Sequence, residues 1–594
     1  MSRSTLISIF FCACLAIPFV AGRLCFAGFK AFAHNDDFLY ARTTEILVDE
    51  GRYQHVSQHG LLAASVASHC IWGAVVCGPL GFSWNNLHFS VAIAAWIGAV
   101  CVYLAARELR GSHAASVPAA LAMSVGPFYY GMSFTFMTDV TAAVFASVGV
   151  YGYVRGVMRR SLVWLVFGAI GASLAMWARQ THLCVIAVPA VALAGLAWRD
   201  RSFRASLVPM TVACGIPIGS FLLYQSGLLL PSDHGRADIV DVDSYDAAWL
   251  RQLALFAYAG GLLIGAATLP LAPILWNGLL SRDAPHSWIA WFSGGVTVLF
   301  WGGLFGASFG RAYLTQATGY IVYNAHLGPI LLGDQNDPGR WSDIGGVRWP
   351  ALVWQFVTVL AIASLAAVVA QAAQNLSTVW KRTDVIDAEQ DAASRRNWVR
   401  VGLLCCTLAA AGGLLVYVEM VYDRYWMLLY PMVFVWLGSQ FEPQTSSHER
   451  SSLKQRWQRR AWRTSFASVA VLFGVSFVFV HDFLAWNHER REQAEQWLSA
   501  GLEPKDFDAG NGINGWYRAQ EDVETYARPG DESHFWRGLA THALAIGPRD
   551  GWRVVGTRRW RSWAGTRDCE LYVLERDAVA DAPGESSILR TNGL

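Results

Sequence analysis

The chain has 594 residues, 54% of them hydrophobic and only 15% charged, with a mean hydropathy of +0.31. A soluble chain carries charge on about a quarter of its residues, so a purely soluble protein is excluded. The formal net charge of +2 is uninformative in total, because its distribution carries the signal, and no basic stretch interleaved with aromatics in a polar segment supports a nucleic-acid partner.

Apolar runs of about 20 residues recur along the chain and predict membrane-spanning helices. We read them at 4–24, 84–106, 115–132, 138–157, 161–178, 181–198, 206–229, 251–278, 288–308, 350–372, 399–420, 425–440 and 463–483, about thirteen spans in all. Val20-Ala21-Gly22 looks like a signal-cleavage site. Retention of the first run is favoured, because later segments alternate correctly only with the N-terminus inside. The loops then assigned inside carry Arg107 and Arg110; Arg155, Arg159 and Arg160; Arg199, Arg201 and Arg204; Arg282; Lys381, Arg382, Arg395 and Arg396; and a Lys454–Arg463 cluster. That asymmetry obeys the positive-inside rule. Residues 60–82 are apolar enough to span, but counting them would invert every later loop. They are read as an interfacial or re-entrant helix on the outer face.

The outer loop 25–83 opens on His34-Asn35-Asp36-Asp37, followed by a helix over 37–50 with Phe38, Leu39, Ile46 and Leu47 on one face. Asn35 or Asp36 is the expected N-cap. A second outer loop covers 309–349. The composition turns polar at 484. This predicts two parts, a transmembrane region over 1–483 and a small soluble α/β domain over 484–594. In the latter we expect a helix at Trp486–Ala500, Gly/Asn turns over Gly510–Gly515 and strands at Trp552–Val555 and Leu571–Leu574. The 27 Trp and 20 Tyr suit wide membrane–water interfaces. The eleven Cys form no CxxC and lie mostly in apolar runs, as small hydrophobes do.

Chemistry concentrates at the outer ends of the spans. Asp36 and Asp37 follow the first span, and one can serve as general base while the other raises its pKa by like-charge repulsion. The bland alternative is a helix cap with a solvated charge. Asp139 sits in Phe136-Met137-Thr138-Asp139, between the third and fourth spans, as a cap or a functional carboxylate. Arg179-Gln180-Thr181-His182 occupies a nearly empty outer turn. An Arg so near lipid is costly unless paired, so it faces either an outer Asp or an anionic phosphate. Tyr422-Asp423-Arg424-Tyr425-Trp426 repeats this pattern, and Arg311, Tyr323 and His326 extend it into the loop 309–349. The Gly-rich stretches lie in spans, where helix packing is the usual cause. His481-Asp482 reads as an interface anchor. There is no GxSxG, HExxH or P-loop.

Taken in order, these stretches resemble the GT-C superfamily of polytopic glycosyltransferases, especially bacterial members similar to protein O-mannosyltransferases and the lipid A aminoarabinose transferase. The resemblance rests on Asn35-Asp36-Asp37 with Tyr40, Met137-Thr138-Asp139, Arg179-Gln180-Thr181, Tyr323…Gly328-Pro329 and Asp423-Arg424-Tyr425-Trp426 before Pro431. It covers about residues 1–485. It implies a mainly α, GT-C-like bundle in the bacterial inner membrane, with the C-terminal domain periplasmic. It implies transfer of a sugar from a polyprenyl-phosphate donor to a glycan, lipid or protein hydroxyl, usually with inversion. Asp36 or Asp37 would be the base, with Asp139 nearby, and Arg179, Arg311 and Arg424 would hold the donor phosphate. His34, Tyr40, Gln180, Tyr323, His326 and Tyr425 would line the substrates. No cofactor is expected, and the acidic residues do not suggest a metal set. A lipid-linked-sugar transporter or flippase is the alternative. It would show mid-span charges or inverted repeats; this sequence has few mid-span charges and no clear repeat.

Overall fold

A computed structural model describes residues 3–34, 37–54, 66–200, 203–226, 247–280, 287–307, 351–379, 388–417, 423–440, 452–521, 540–545, 547–565 and 568–577. Helices dominate. In chain order they are α1 (Arg3–Cys14), α2 (Ile17–Cys25), α3 (Asp37–Glu50), α4 (Ala67–Leu80), α5 (Trp84–Glu108), α6 (His113–Val125), α7 (Pro127–Met132), α8 (Thr138–Arg159), α9 (Leu162–Ala178), α10 (Ala187–Asp200), α11 (Phe203–Gln225), α12 (Ala247–Thr268), α13 (Ala272–Leu280), α14 (Ser287–Ala307), α15 (Ala351–Val379), α16 (Ala388–Tyr417), α17 (Tyr430–Gly438), α18 (Ser452–Ser499) and α19 (Asn511–Glu521).

The protein is a multi-pass membrane protein. Ten helical segments among the described residues are long and apolar enough to cross a bilayer, fewer than the thirteen runs in the sequence. The other three are shorter for local reasons. The run 115–132 breaks into α6 and α7 because Pro127 has no N–H to continue the ladder. Leu162–Ala178 stops at 17 residues, where Arg179 turns into extended backbone. The run 425–440 begins as a 3-10 turn over Asp423–Leu429 before α17 starts at Tyr430-Pro431. Residues 67–80 form the short apolar helix α4, in the region read as interfacial.

The bundle centre is α5, α6, α8, α9 and α17, packed on one another. Small residues set the closest contact: a Cβ on Gly152 would stand 2.5 Å from Gly168 Cα, so α8 and α9 meet backbone to backbone.

The C-terminal sheet has four strands, β1 (Phe507–Asp508), β2 (His542–Ala545), β3 (Trp552–Arg561) and β4 (Asp568–Arg576), in the order β1-β2-β4-β3. β1 pairs parallel to β2, and the other pairings are antiparallel, with a bulge between Val554 and Gly556. Both expected strands are thus present. The expected helix at Trp486–Ala500 is the end of α18, a 48-residue helix that runs unbroken past residue 484.

Two expectations are corrected. Gly510–Gly515 is not a string of turns: α19 starts at Asn511. Asp508 Oδ1 accepts from Gly510 N–H (3.0 Å) and Asn514 Oδ1 accepts from Ala509 N–H (2.9 Å), which closes the entry to the helix. His481-Asp482 is not a bare interface anchor. The fully buried Asp482 accepts from Ser562 Oγ (2.6 Å), Trp563 N–H (2.7 Å) and Ala564 N–H (3.2 Å), and from His481 Nδ1 (2.9 Å). The His481 ring stacks on Trp563 at 3.7 Å. This carboxylate latches the β3–β4 turn to α18.

Candidate active site

The segment 30–34 leads into α3 and is gripped from the C-terminal side. Lys30 pairs with Glu492 and with Glu495 (3.1 Å). Arg491 Nη1 donates to the Ala31 carbonyl at 2.7 Å, and its guanidinium lies over the Phe32 ring. From α19, a Cβ on Gly512 would fall 2.7 Å from the His34 carbonyl carbon, and one on Gly515 only 2.4 Å from the Phe38 ring. Only glycine permits both approaches. His34 packs edge-on against Phe483 at 4.7 Å.

Asp37 opens α3 and is fully buried. Its Oδ1 accepts from His34 N–H, three residues back, at 2.8 Å. Its Oδ2 accepts from Phe136 N–H at 3.4 Å. One carboxylate therefore ties the first loop to the turn that carries Asp139.

That turn is also held by His69, which sequence reasoning missed. His69 lies on α4, fully buried. Its Nε2 stands 3.0 Å from the Phe136 carbonyl and its Nδ1 3.0 Å from Thr141 Oγ1. A carbonyl only accepts, so Nε2 carries the proton and Nδ1 accepts from the threonine hydroxyl. Burial is the main reason the imidazole pKa falls to about 3. The ring lies tilted against Phe136, centroids 4.1 Å apart, and meets Tyr40 edge-on at 5.8 Å. Tyr40 is itself buried, and its carbonyl accepts from Thr44 Oγ1 at 2.8 Å. The only sequence signal for His69 was a lone histidine in an apolar run.

Asp139, in the first turn of α8, is the meeting point. Arg179 Nη2 lies 3.0 Å from its Oδ1, and Arg424 Nε lies 3.9 Å from its Oδ2. The three side chains are 17%, 2% and 5% exposed for Arg179, Asp139 and Arg424 respectively. Arg179 Nε also donates to Thr138 Oγ1 at 3.0 Å. Both guanidinium carbons sit over the Tyr425 ring, Arg179 at 4.6 Å and Arg424 at 5.8 Å. Among these three side chains two guanidinium cations face one carboxylate at ion-pair distance. Such a cluster suits an additional oxyanion. His182, beside it on the 3-10 turn Gln180–Ile186, is buried with neither ring nitrogen hydrogen-bonded.

Of the sequence-derived candidates, Arg179 and Arg424 both pair with Asp139 and both lie over Tyr425. Asp37 joins them through Phe136, and Tyr40 through His69. Gln180 follows Arg179 on the 3-10 turn. Asp36, Arg311, Tyr323 and His326 lie outside the described residues. Among the described residues, no three His, Cys, Asp or Glu side chains gather into a metal-ligating group.

Residues 78–224 match the family described as dolichyl-phosphate-mannose-protein mannosyltransferase. The matched segment contains the Asp139 and Arg179 turns on which the resemblance partly rested. No curated protein matches the chain. Among solved structures, ArnT from Cupriavidus metallidurans bound to undecaprenyl phosphate is 14% identical, with 98% of this chain and 99% of that one covered and a TM-score of 0.39. The oligosaccharyltransferase AglB from Archaeoglobus fulgidus is 12% identical over 92% of this chain and 70% of its own, at 0.32. Arabinosyltransferase EmbB from Mycobacterium smegmatis is 12% identical over 79% of this chain and 40% of its own, at 0.31.

Proposed function

We propose, with the mannosyltransferase family match over residues 78–224 as the premise, that this protein is a membrane glycosyltransferase that draws its sugar from a polyprenyl-phosphate donor. The observation that carries the reading is the convergence of Arg179 and Arg424 on Asp139, beside the turn clamped by Asp37.

In the reaction, the acceptor hydroxyl oxygen bonds to the anomeric carbon. The bond from that carbon to the donor phosphate oxygen breaks, and its electron pair leaves on the polyprenyl phosphate. The hydroxyl proton passes to a carboxylate acting as general base. Charge grows on the departing phosphate, and preorganised guanidinium groups in a buried setting stabilise it. Arg179 and Arg424 take this role, with Arg311 as a third candidate. A single displacement gives inversion. Gln180 and Tyr425 adjoin the phosphate, while His34, Tyr40, Tyr323 and His326 remain candidates for substrate contact.

Of the two adjacent carboxylates, the geometry favours Asp36 as the base. Asp37 is fully buried, and both its oxygens already accept backbone N–H groups. Its work is to hold the loop. The Arg and Lys distribution supports an outer, periplasmic site in a bacterial inner membrane, with a glycan, lipid or protein as acceptor.

The test is transfer from a polyprenyl-phosphate sugar by the purified chain. Asp36→Asn should lower kcat by roughly a hundred-fold or more while donor binding persists. Arg179→Ala or Arg424→Ala should weaken donor binding roughly ten-fold and leave acceptor binding nearly intact. Wild-type transfer by both Asp36→Asn and Asp37→Asn, or equal loss of donor and acceptor binding in the arginine variants, would overturn the assignment.

A further inference from the structure

A cavity of about 220 Å³ lies between the end of α2 and the start of α5, and it shares no residue with the Asp139 cluster. Arg23 and His88 line it, with Asn85 exposed beside them and Phe26, Phe29 and Leu484 as apolar walls. Arg23 Nε and Nη2 are buried without a hydrogen-bond partner. The guanidinium lies over the Phe134 ring at 5.6 Å, and no carboxylate among the described residues forms an ion pair with it. His88 is 3% exposed, and its Nε2 also has no partner.

A buried cation without a counter-charge is costly, and so is an orphaned ring nitrogen. Two such groups on one cavity point to a missing anion. The space exceeds the roughly 30 Å³ share of one water several-fold. A phosphate fits the requirement, because its oxygens accept from the guanidinium fork and from an imidazole N–H together. The helix that carries Arg23 also says where the anion comes from. Val20 and Leu24, on either side, are 52% and 73% exposed, and they lie in the first membrane-spanning segment, Ser4–Cys25. Arg23 thus stands at the lipid edge, two residues from that segment's end.

We propose that this cavity is a second phosphate site, which takes the headgroup phosphate of an acidic lipid from the bilayer side. It does not depend on the sugar-transfer reading.

The test uses the full chain in an Arg179→Ala background, which weakens the other phosphate cluster. Inorganic phosphate is titrated in detergent, and phosphatidic acid is presented in zwitterionic nanodiscs, with bound lipid counted by native mass spectrometry. Phosphatidic acid should be retained by the parent. R23Q should lose roughly ten-fold or more in affinity and H88L several-fold, while R23K keeps most of it. Binding of phosphatidic acid with the same Arg23 dependence, with or without inorganic phosphate, supports the lipid source. Binding of inorganic phosphate alone overturns that source. If R23Q and H88L both bind phosphatidic acid within two-fold of the parent, or the parent binds neither probe, the site does not exist. Should R23Q fail to fold, H88L and R23K decide the question.

Discussion

Replacing Asp37 with asparagine separates a clamp from a base. The carboxylate accepts from His34 N–H at 2.8 Å and from Phe136 N–H at 3.4 Å, from a fully buried position at the start of α3. An amide of the same shape keeps one acceptor, and its nitrogen confronts the other N–H donor to donor. A hydrogen bond to a charged group is worth about 1.5–3 kcal/mol, and a buried donor left unsatisfied costs about 1–3 kcal/mol. A negative charge in the first helical turn adds about 0.5 kcal/mol. These terms overlap, and about 3 kcal/mol is a fair total for local opening. The neighbouring Cys70 reports it: the thiol is fully buried and touches the Tyr40 carbonyl of α3 at 3.6 Å. At about 1.4 kcal/mol per factor of ten, Asp37→Asn should speed thiol labelling of Cys70 roughly a hundred-fold under conditions where opening pre-equilibrates. Peptide mapping of the labelled protein reads the rate at that site. If Cys70 in Asp37→Asn labels at the wild-type rate while turnover is lost, Asp37 is a base and the clamp argument fails.

His69 makes the stability of this region pH-dependent. Its folded pKa is depressed to about 3 against about 6.5 unfolded. Its contribution is therefore complete above pH 6.5 and falls by about 1.4 kcal/mol per unit as the pH drops toward the folded value. Cys70 labelling between pH 6.5 and 5, divided at each pH by the labelling rate of an unstructured Cys peptide to remove the thiolate dependence, should show that slope, and His69→Gln should flatten it. An unchanged slope would assign it elsewhere. Asp482→Ala should strand the Trp563 and Ala564 N–H groups, destabilise the latch by about 3 kcal/mol, and admit protease to the β3–β4 turn. Resistance equal to wild type would refute the latch. A reporter fused after Gly111 should score as cytoplasmic. A periplasmic score would restore 60–82 as a span and invert the proposed orientation.

Apolar length alone carried most of the fold, because the bilayer fixes how long a span must be. It overcounted where backbone chemistry intervenes, at Pro127 and at Tyr430-Pro431, since hydropathy does not register a missing N–H. The Asp139–Arg179–Arg424 cluster was legible because a charge at a span end needs a partner, and few candidates existed. His69 was not, since its role is to hold a carbonyl and a hydroxyl supplied by another helix. The α19 helix was hidden for a similar reason. Gly510–Gly515 reads as turns until the ring of Phe38 and the backbone at His34 supply a surface that tolerates no side chain.

That contact makes the two ends of the chain depend on each other for engineering. A chimera that joins this helical body to another protein's tail must keep glycine at positions 512 and 515. A β-carbon at 515 meets Phe38, the neighbour of Asp37, so a tail that folds perfectly by itself would still displace the loop it covers. Compatibility between body and tail is thus written in two hydrogen atoms, and a search for exchangeable tails can begin by reading those two positions.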